Sequence, residues 1–285
     1  MLRMVAVACV TLSFSASVTL FPALASEKPS SKQTKSNLPA GFSFLRDVAP
    51  SILQDMRYAS RNNFTGNILP GYRASECILQ SSVAKALLNV QAELKATGYS
   101  LKVYDCYRPA RAVQAFGSWA QNSDNSSTKD YYPRLPKTAL FAKGYIARRS
   151  SHSIGTAIDL TLVRLPATAQ QGFDPATPRK ACNSPFGERP QDNSIDMGTA
   201  FDCFDVMSHT NHPAINGKVR ANRHRLRTVM TRFGFSNYHR EWWHYSYKKR
   251  SLRTYQNFII PWHPAAKRAQ EPYPHRPGEP LMADD

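Results

Sequence analysis

Residues 150–163 of this 285-residue chain read SSHSIGTAIDLTLV, and this stretch decides the fold. Its second half alternates apolar and polar side chains, which predicts a strand over Thr156–Val163. The apolar residues of that strand are Ile158, Leu160 and Leu162. Because alternate residues of a strand point to opposite faces, these side chains pack into the core and Asp159 faces the other surface. That other surface is the candidate functional site.

His152 lies seven residues before Asp159, a separation that puts the two on opposite faces of one continuous strand. Gly155 resolves this conflict, because a glycine lets the chain turn before the strand begins. His152 can then reach the side that Asp159 occupies. A histidine near one aspartate is usually a structural hydrogen bond, so a ligand role needs support from a second segment.

The second segment is Glu241-Trp242-Trp243-His244. Glu241 and His244 fall together if a bend precedes the strand that we predict at Trp242–Tyr247, and the two tryptophans can form hydrophobic walls. Aromatic packing beside a hydrogen-bonded histidine is the alternative interpretation.

Together the two segments supply two imidazoles and two carboxylates. A catalytic zinc takes three protein ligands of this kind and keeps a position for water, whose pKa it lowers from near 16 to about 7. The ligands would be His152, Asp159 and His244. Glu241 then remains as the general base.

Three helices are predicted from the spacing of apolar residues. The first is capped by Ser81 or Ser82 and closes at Gly98, the second begins after Pro109, and the third runs from about Arg220. Their buried faces carry Val83, Leu87, Val90 and Leu94; Val113, Phe116, Trp119 and Ala120; and Leu226, Val229, Met230 and Phe233.

The order of elements indicates the fold class. A further strand is predicted at Ser100–Tyr107, and helices and strands do not alternate as a regular βαβα repeat. We therefore predict an α+β fold, a single domain with a central mixed or antiparallel sheet flanked by helices. Residues 170–193, rich in Pro, Asp and Asn, are predicted to form a surface insertion.

The N-terminus is typical of a secretory signal peptide. Arg3 precedes an uncharged apolar run, and Ala23-Leu24-Ala25 supplies a small-residue cleavage site. We expect residues 1–25 to be removed, and the protein to be exported to the periplasm or secreted with no stable membrane span. A membrane anchor is the alternative, but four hydroxyl residues interrupt the run. Residues 26–40 are predicted to be a disordered leader, 41–262 the domain, and 263–285 a proline-rich tail.

The formal charge of the full chain is +17, and loss of Arg3 with the signal leaves +16. The basic residues are scattered and no aromatic-basic module is present, so we expect no nucleic-acid partner. Attraction to an anionic cell envelope, or solubility, accounts for the charge.

Four cysteines remain once Cys9 leaves with the signal. An even number in an oxidising compartment favours disulfides over a metal site, and no C-x-x-C spacing occurs. Four cysteines allow three pairings. We prefer Cys77 with Cys106 and Cys182 with Cys203, because each pair is close in sequence and brackets one structural unit.

The motif S-x-H-x-x-G-x-A-x-D followed by E-W-W-H resembles the VanX-type D-alanyl-D-alanine dipeptidases, which have the hedgehog-like zinc D,D-peptidase fold. The resemblance covers residues 42–261. It includes Tyr58 with Asn63-Phe64-Thr65-Gly66, Asp105-x-Tyr107-Arg108-Pro109, Lys143-Gly144-Tyr145 and Met197-Gly198-Thr199-x-Phe201-Asp202.

The resemblance implies one zinc ion per chain, held by His152, Asp159 and His244. It implies that Glu241 acts as base and then as acid, and that Arg108 stabilises the oxyanion of the tetrahedral intermediate. A structural ion pair is the alternative role for Arg108. Asp202 would hold the ammonium of a small dipeptide substrate, which Ser151 and Tyr58 would also contact.

The implied reaction is zinc-dependent hydrolysis of D-Ala-D-Ala to two D-Ala, in cell-wall peptide turnover. One alternative is a D,D-carboxypeptidase acting on peptidoglycan stem peptides. A second is a zinc-bearing binding module without catalysis, because a fold does not determine a function. Retention of Glu241 beside a full ligand set favours an enzyme.

Overall fold

The structure is a computed structural model that describes residues 38–122, 128–190, 192–249 and 252–264. All of these residues belong to one compact unit. The predicted signal peptide lies outside the described residues, as do most of the predicted leader and tail. Within the described part of the chain, no helix is both long enough and apolar enough to cross a bilayer.

Seven strands and four α-helices make up the regular structure of the described residues. The strands are β1 (Phe42–Phe44), β2 (Leu53–Gln54), β3 (Ile78–Gln80), β4 (Tyr99–Asp105), β5 (Ala157–Arg164), β6 (Phe235–Asn237) and β7 (His244–Tyr247). The helices are α1 (Leu45–Val48), α2 (Ser81–Ala96), α3 (Ala110–Gln121) and α4 (Gly217–Arg232). Short 3-10 turns lie at Arg57–Ala59, Lys129–Tyr131, Lys137–Ala139, Ser151–Ile154 and Val206–Ser208.

The central sheet has five strands in the order β2-β4-β5-β7-β6. β2 pairs with β4 in parallel, and the other neighbours are antiparallel. β1 and β3 form a separate antiparallel pair. The predicted α+β fold with a mixed sheet is therefore confirmed.

One face of β5 enters the main core, as its alternation predicts. Ile158, Leu160 and Leu162 are fully buried there. The predicted buried face of α2 packs into the same cluster through Val83, Leu87, Val90 and Leu94. Each such side chain contributes about 1.5–3 kcal/mol relative to an exposed one, so this packing holds β5 and its polar face in place.

Several predicted boundaries shift. α4 begins at Gly217, about three residues before the predicted start, and Phe233 is its half-buried cap instead of a core residue. β7 begins at His244, because the chain from Tyr238 to Trp243 forms a turn in which the Glu241 amide donates to the Tyr238 carbonyl. The serine cap predicted for α2 is also wrong, since Gln80 holds the cap position and makes no side-chain capping bond.

Both predicted disulfides are present, Cys77–Cys106 and Cys182–Cys203. The first joins the end of the segment before β3 to the residue after β4. The second joins the predicted insertion to the segment that carries Asp202. The insertion is mainly exposed, as predicted, but Cys182 and Arg189 are buried within it.

Candidate active site

Three neighbouring strands place acidic and basic side chains in one row. Asp159 on β5 pairs with His244 on β7 and with Asp105 on β4. Paired residues of adjacent strands project to the same face, so these three side chains lie together on the face opposite the apolar side of β5. The sheet register therefore brings together residues that are far apart in sequence.

His152 reaches this row from a 3-10 turn, Ser151–Ile154, that precedes β5. The Ser150 hydroxyl caps the turn by accepting a hydrogen bond from the His152 amide. Gly155 ends it with φ +76°, and a Cβ there would lie 2.4 Å from the Phe42 ring. The predicted turning role of Gly155 is thus confirmed, and only glycine fits this position.

The two histidines and Asp159 form a compact group that could hold a metal ion, with ligand atoms within 4.8 Å of one another. Nδ1 of His244 is 3.0 Å from Oδ1 of Asp159 and 3.1 Å from Nε2 of His152. Nδ1 of His152 lies 2.7 Å from the Cys106 carbonyl oxygen and donates to it, which leaves Nε2 with its lone pair facing the group.

The chemistry of this donor set fits a divalent transition metal. Two imidazole nitrogens and a carboxylate face a common centre, and His152 is oriented by a carbonyl as metal-bound histidines usually are. Burial lowers the pKa of His244, which favours the neutral imidazole that a metal requires.

Glu241 lies beside this group without joining it. Its Oε2 is 3.9 Å from Nδ1 of His244. A local turn holds it, since the Glu241 amide donates to the Tyr238 carbonyl and its own carbonyl accepts from the His244 amide. Burial raises the pKa of Glu241 well above its usual range, and the charges of Asp159 and Asp202 add to this effect. A carboxyl of this kind is suited to general acid and base chemistry.

Arg108 is held by carboxylates at the edge of the metal group. Its Nε donates to Asp105 at 2.9 Å, and Nη2 is 3.4 Å from Oδ2 of Asp159. The guanidinium lies over the rings of Tyr58 and Phe116, 4.9 and 5.0 Å from their centroids. The ion pair considered as its alternative role therefore exists, and it fixes the guanidinium where it lines the cavity.

Asp202 and Tyr58 line the same cavity, and the Tyr58 ring lies beside Arg108. The Tyr58 hydroxyl donates a 2.8 Å hydrogen bond to Oδ2 of Asp202, and both side chains are buried. Burial raises the pKa of Asp202 well above its usual range, and the nearby Asp159 adds to the shift. A cation placed beside this carboxyl would restore its charged form.

One cavity of about 300 Å³ joins all of these groups. Every predicted site residue lines it: Tyr58, Arg108, Ser151, His152, Asp159, Asp202, Glu241 and His244. The structure thus brings the whole predicted set together. Of the two tryptophans predicted as walls, Trp243 lines the cavity, whereas Trp242 lies in the core and donates to Thr199. A larger open cleft of about 540 Å³ along residues 175–179 contains none of the site residues.

Two further residues that matter here have no predicted role. Asp105 is fully buried, accepts a 2.6 Å hydrogen bond from Tyr72 and orients Arg108. Its position three residues before Arg108 in the sequence could have indicated this role. Arg149 is exposed and lines the cavity mouth, with its guanidinium 5.8 Å from the centre of the Tyr255 ring. Its place beside Ser150 and Ser151 in the motif could have indicated it.

Comparison with known proteins identifies the family. The D-ala-D-ala dipeptidase family, peptidase M15, matches residues 39–171 and 188–261. The D-alanyl-D-alanine dipeptidase of Enterococcus faecium is 39% identical over 207 residues, which cover 72% of this chain and 90% of the relative. Its counterpart in Enterococcus faecalis is 36% identical over 222 residues, covering 77% and 98%. That of Streptomyces coelicolor is 33% identical over 209 residues, covering 73% and 92%.

The matches to these relatives cover 90%, 98% and 92% of their lengths, and the family match contains every residue of the site described above. The chain therefore belongs to the D-ala-D-ala dipeptidase family of peptidases and is a metallopeptidase.

Proposed function

We propose that this chain is a zinc dipeptidase that hydrolyses D-Ala-D-Ala to two molecules of D-Ala. The observation that carries the proposal is the convergence of a metal-binding group, a free carboxylate and an arginine on one small cavity. The names of the relatives support the choice of substrate.

Zinc would be held by Nε2 of His152, a carboxylate oxygen of Asp159 and Nδ1 of His244. When bound, it supplies a Lewis acid that polarises the substrate carbonyl and lowers the pKa of water.

Glu241 carries the proton in the proposed reaction. It takes a proton from the attacking water, and it returns that proton to the nitrogen of the leaving D-Ala as the peptide bond breaks. The raised pKa of this buried carboxyl suits both steps, since an efficient acid and base has a pKa near the working pH.

Arg108 stabilises the negative charge that develops on the carbonyl oxygen. Its guanidinium is already held by Asp105 and by the aromatic rings beneath it, so little reorganisation accompanies the reaction. Such fixed donors contribute several kcal/mol in other enzymes, on the order of 3 kcal/mol for one oxyanion contact.

Two charged residues of the cavity lining complement the two charges of a free dipeptide. Asp202, with Tyr58 bonded to it, accepts the ammonium, and Arg149 at the mouth attracts the carboxylate, with Ser151 nearby. A zwitterion such as D-Ala-D-Ala would find an opposite charge for each of its own.

The two alternative functions make less use of Asp202 and Glu241. A D,D-carboxypeptidase binds a longer peptide whose corresponding nitrogen is an uncharged amide, which would leave Asp202 without its cation. A binding module without catalysis does not need a buried carboxylate such as Glu241 beside the metal group. The structure of the cavity favours the dipeptidase.

Export also belongs to the proposal. Two disulfides accord with an oxidising compartment, so we place the mature protein, residues 26–285, in the periplasm or outside the cell. There it would act in cell-wall peptide turnover, and its positive charge would favour the anionic envelope.

The decisive experiment is release of D-Ala from free D-Ala-D-Ala by the purified zinc-loaded protein, measured with a coupled D-amino-acid oxidase assay. Hydrolysis is expected with the unmodified protein and not with Glu241→Ala prepared in parallel. Absence of D-Ala release from correctly folded, zinc-loaded protein would refute the proposal.

A further inference from the structure

Asp202 has an unusual backbone conformation. Its φ is +57°, and it is the one non-glycine residue with positive φ among the residues that the structure describes. A residue with a Cβ is disfavoured in this left-handed region and stays there only where its surroundings hold it. Contacts of the neighbouring residues therefore help to hold it, although aspartate tolerates this region better than most residues.

Cys182 anchors the chain on both sides of Asp202. Its carbonyl oxygen accepts a 2.9 Å hydrogen bond from the Ala200 amide, and its sulfur is bonded to Cys203. Its own amide donates to the Asp130 carbonyl at 2.8 Å, which ties it to the neighbouring 3-10 turn. One residue thus closes a short loop around Phe201 and Asp202.

The aromatic side chains on either side of Asp202 pack into two different clusters. Phe201 stacks on Tyr104, with centroids 4.4 Å apart, and belongs to the main core. Phe204 packs against Phe64 in the second cluster. These contacts fix where the loop enters and leaves. After Asp202, the Cys203 carbonyl also accepts from the Ser208 hydroxyl and the Phe204 amide donates to the Tyr131 carbonyl, whereas before it the Ala200 amide is held by Cys182.

The anchor comes from a segment that the family match does not cover. The match ends at residue 171 and resumes at 188, so residues 172–187 lie outside it. Cys182 is the single buried residue within that segment. The one side chain that this segment buries therefore contacts the loop that carries Asp202.

We propose that Cys182 is a positioning residue that clamps Asp202 so that its carboxylate meets the ammonium of the substrate. Through Cys182, the segment 172–187 then makes the enzyme more selective for peptides with a free amino terminus. This inference rests on the proposed function, because it takes Asp202 as the group that binds the ammonium.

The test compares two substrates, D-Ala-D-Ala and N-acetyl-D-Ala-D-Ala, in the zinc-loaded enzyme. The ratio measured is kcat/KM for D-Ala-D-Ala divided by kcat/KM for N-acetyl-D-Ala-D-Ala. In Cys182→Ala/Cys203→Ala this ratio should fall about tenfold or more, mainly through a higher KM for the free dipeptide. In the Asp202→Ala background, removal of the same disulfide should leave the ratio unchanged, because the clamp acts through Asp202.

Cys77→Ala/Cys106→Ala is the matched control. The two disulfides close loops of similar length, with sequence separations of 29 and 21 residues, so both variants lose similar stability. A loss of folded enzyme lowers turnover of both substrates equally. The control also changes Cys106, whose carbonyl orients His152, so its turnover should fall for both substrates alike while their ratio stays unmodified.

If the Cys182→Ala/Cys203→Ala variant does not fold, the ratio is measured after mild reduction of the folded enzyme, with mass spectrometry showing which bond has opened. An unchanged ratio with the Cys182–Cys203 bond open overturns the clamp while leaving the proposed function intact. Failure of the unmodified enzyme to hydrolyse the free dipeptide overturns the proposed function and the clamp together.

Discussion

Asp159 and His244 lie directly opposite each other on adjacent strands, with Oδ1 of Asp159 3.0 Å from Nδ1 of His244. The pairing is antiparallel and both side chains project from the same face. Two of the three proposed ligands are thus set by sheet register, and a slip by one residue would move Asp159 to the core side.

Loss of a ligand that this register positions should weaken zinc binding. His244→Ala should lower zinc affinity by about 100-fold or more, because two of three ligands cannot retain the metal. Measurement of bound zinc by mass spectrometry after dialysis checks this. Removal of zinc with 1,10-phenanthroline should stop hydrolysis, and added Zn²⁺ should restore it; full retention of zinc by His244→Ala would remove His244 from the ligand set.

Glu241 should be separable from metal binding. Glu241→Gln keeps the shape of the side chain but cannot accept a proton, so kcat should fall about 10²–10⁴-fold. Bound zinc should stay stoichiometric in the same preparation. Loss of zinc in this variant would instead make Glu241 a ligand.

Asp202 should make the enzyme selective for a free amino terminus. We expect kcat/KM for N-acetyl-D-Ala-D-Ala and for a stem pentapeptide to lie on the order of 10²-fold or more below that for D-Ala-D-Ala, because neither offers Asp202 the ammonium that pairs with its buried carboxylate. Steady-state kinetics on the three substrates check this. Similar kcat/KM for the free and acetylated dipeptides would favour the carboxypeptidase.

Arg149 should matter for the opposite end of the substrate. Arg149→Gln should raise KM for D-Ala-D-Ala several-fold with little change in kcat, and it should not affect D-Ala-D-Ala amide, which lacks the carboxylate. Arg148→Gln, an exposed neighbour that does not line the cavity, is the matched control. An equal effect of Arg149→Gln on both substrates would show that the carboxylate does not contact this residue.

Asp192 should stabilise the fold in a pH-dependent way. Burial alone would raise its pKa, but Lys102 and Arg57 outweigh burial and hold the pKa of Asp192 well below its usual range. A carboxyl whose folded pKa is depressed stabilises the protein above its unfolded pKa of about 3.9, and that contribution is lost as pH falls toward the folded value.

Asp192→Asn should therefore lower the free energy of unfolding at pH 7, by about 3–5 kcal/mol. The difference from the unmodified protein should shrink as the pH is lowered below about 4. Urea denaturation at several pH values measures both effects. Glu188→Gln, an exposed carboxylate nearby, is the control and should change stability little at any pH.

Much of this molecule could be predicted from local sequence. Alternation along β5 predicted which face is buried, and the spacing of leucines and valines predicted the inner face of α2, because burial of apolar surface acts at each residue. Gly155 predicted the turn that brings His152 to Asp159, since a positive φ with no space for a Cβ requires glycine. Motif blocks predicted the residues that line the cavity.

Tertiary structure alone decided how those residues meet. The register of β4, β5 and β7 places Asp105, Asp159 and His244 in one row, and no local pattern specifies which strands become neighbours. The same holds for Asp202, whose left-handed backbone and anchor to Cys182 depend on a contact between segments about 20 residues apart. Sequence determines local periodicity and chemical type, whereas long-range packing determines the distances on which the chemistry depends.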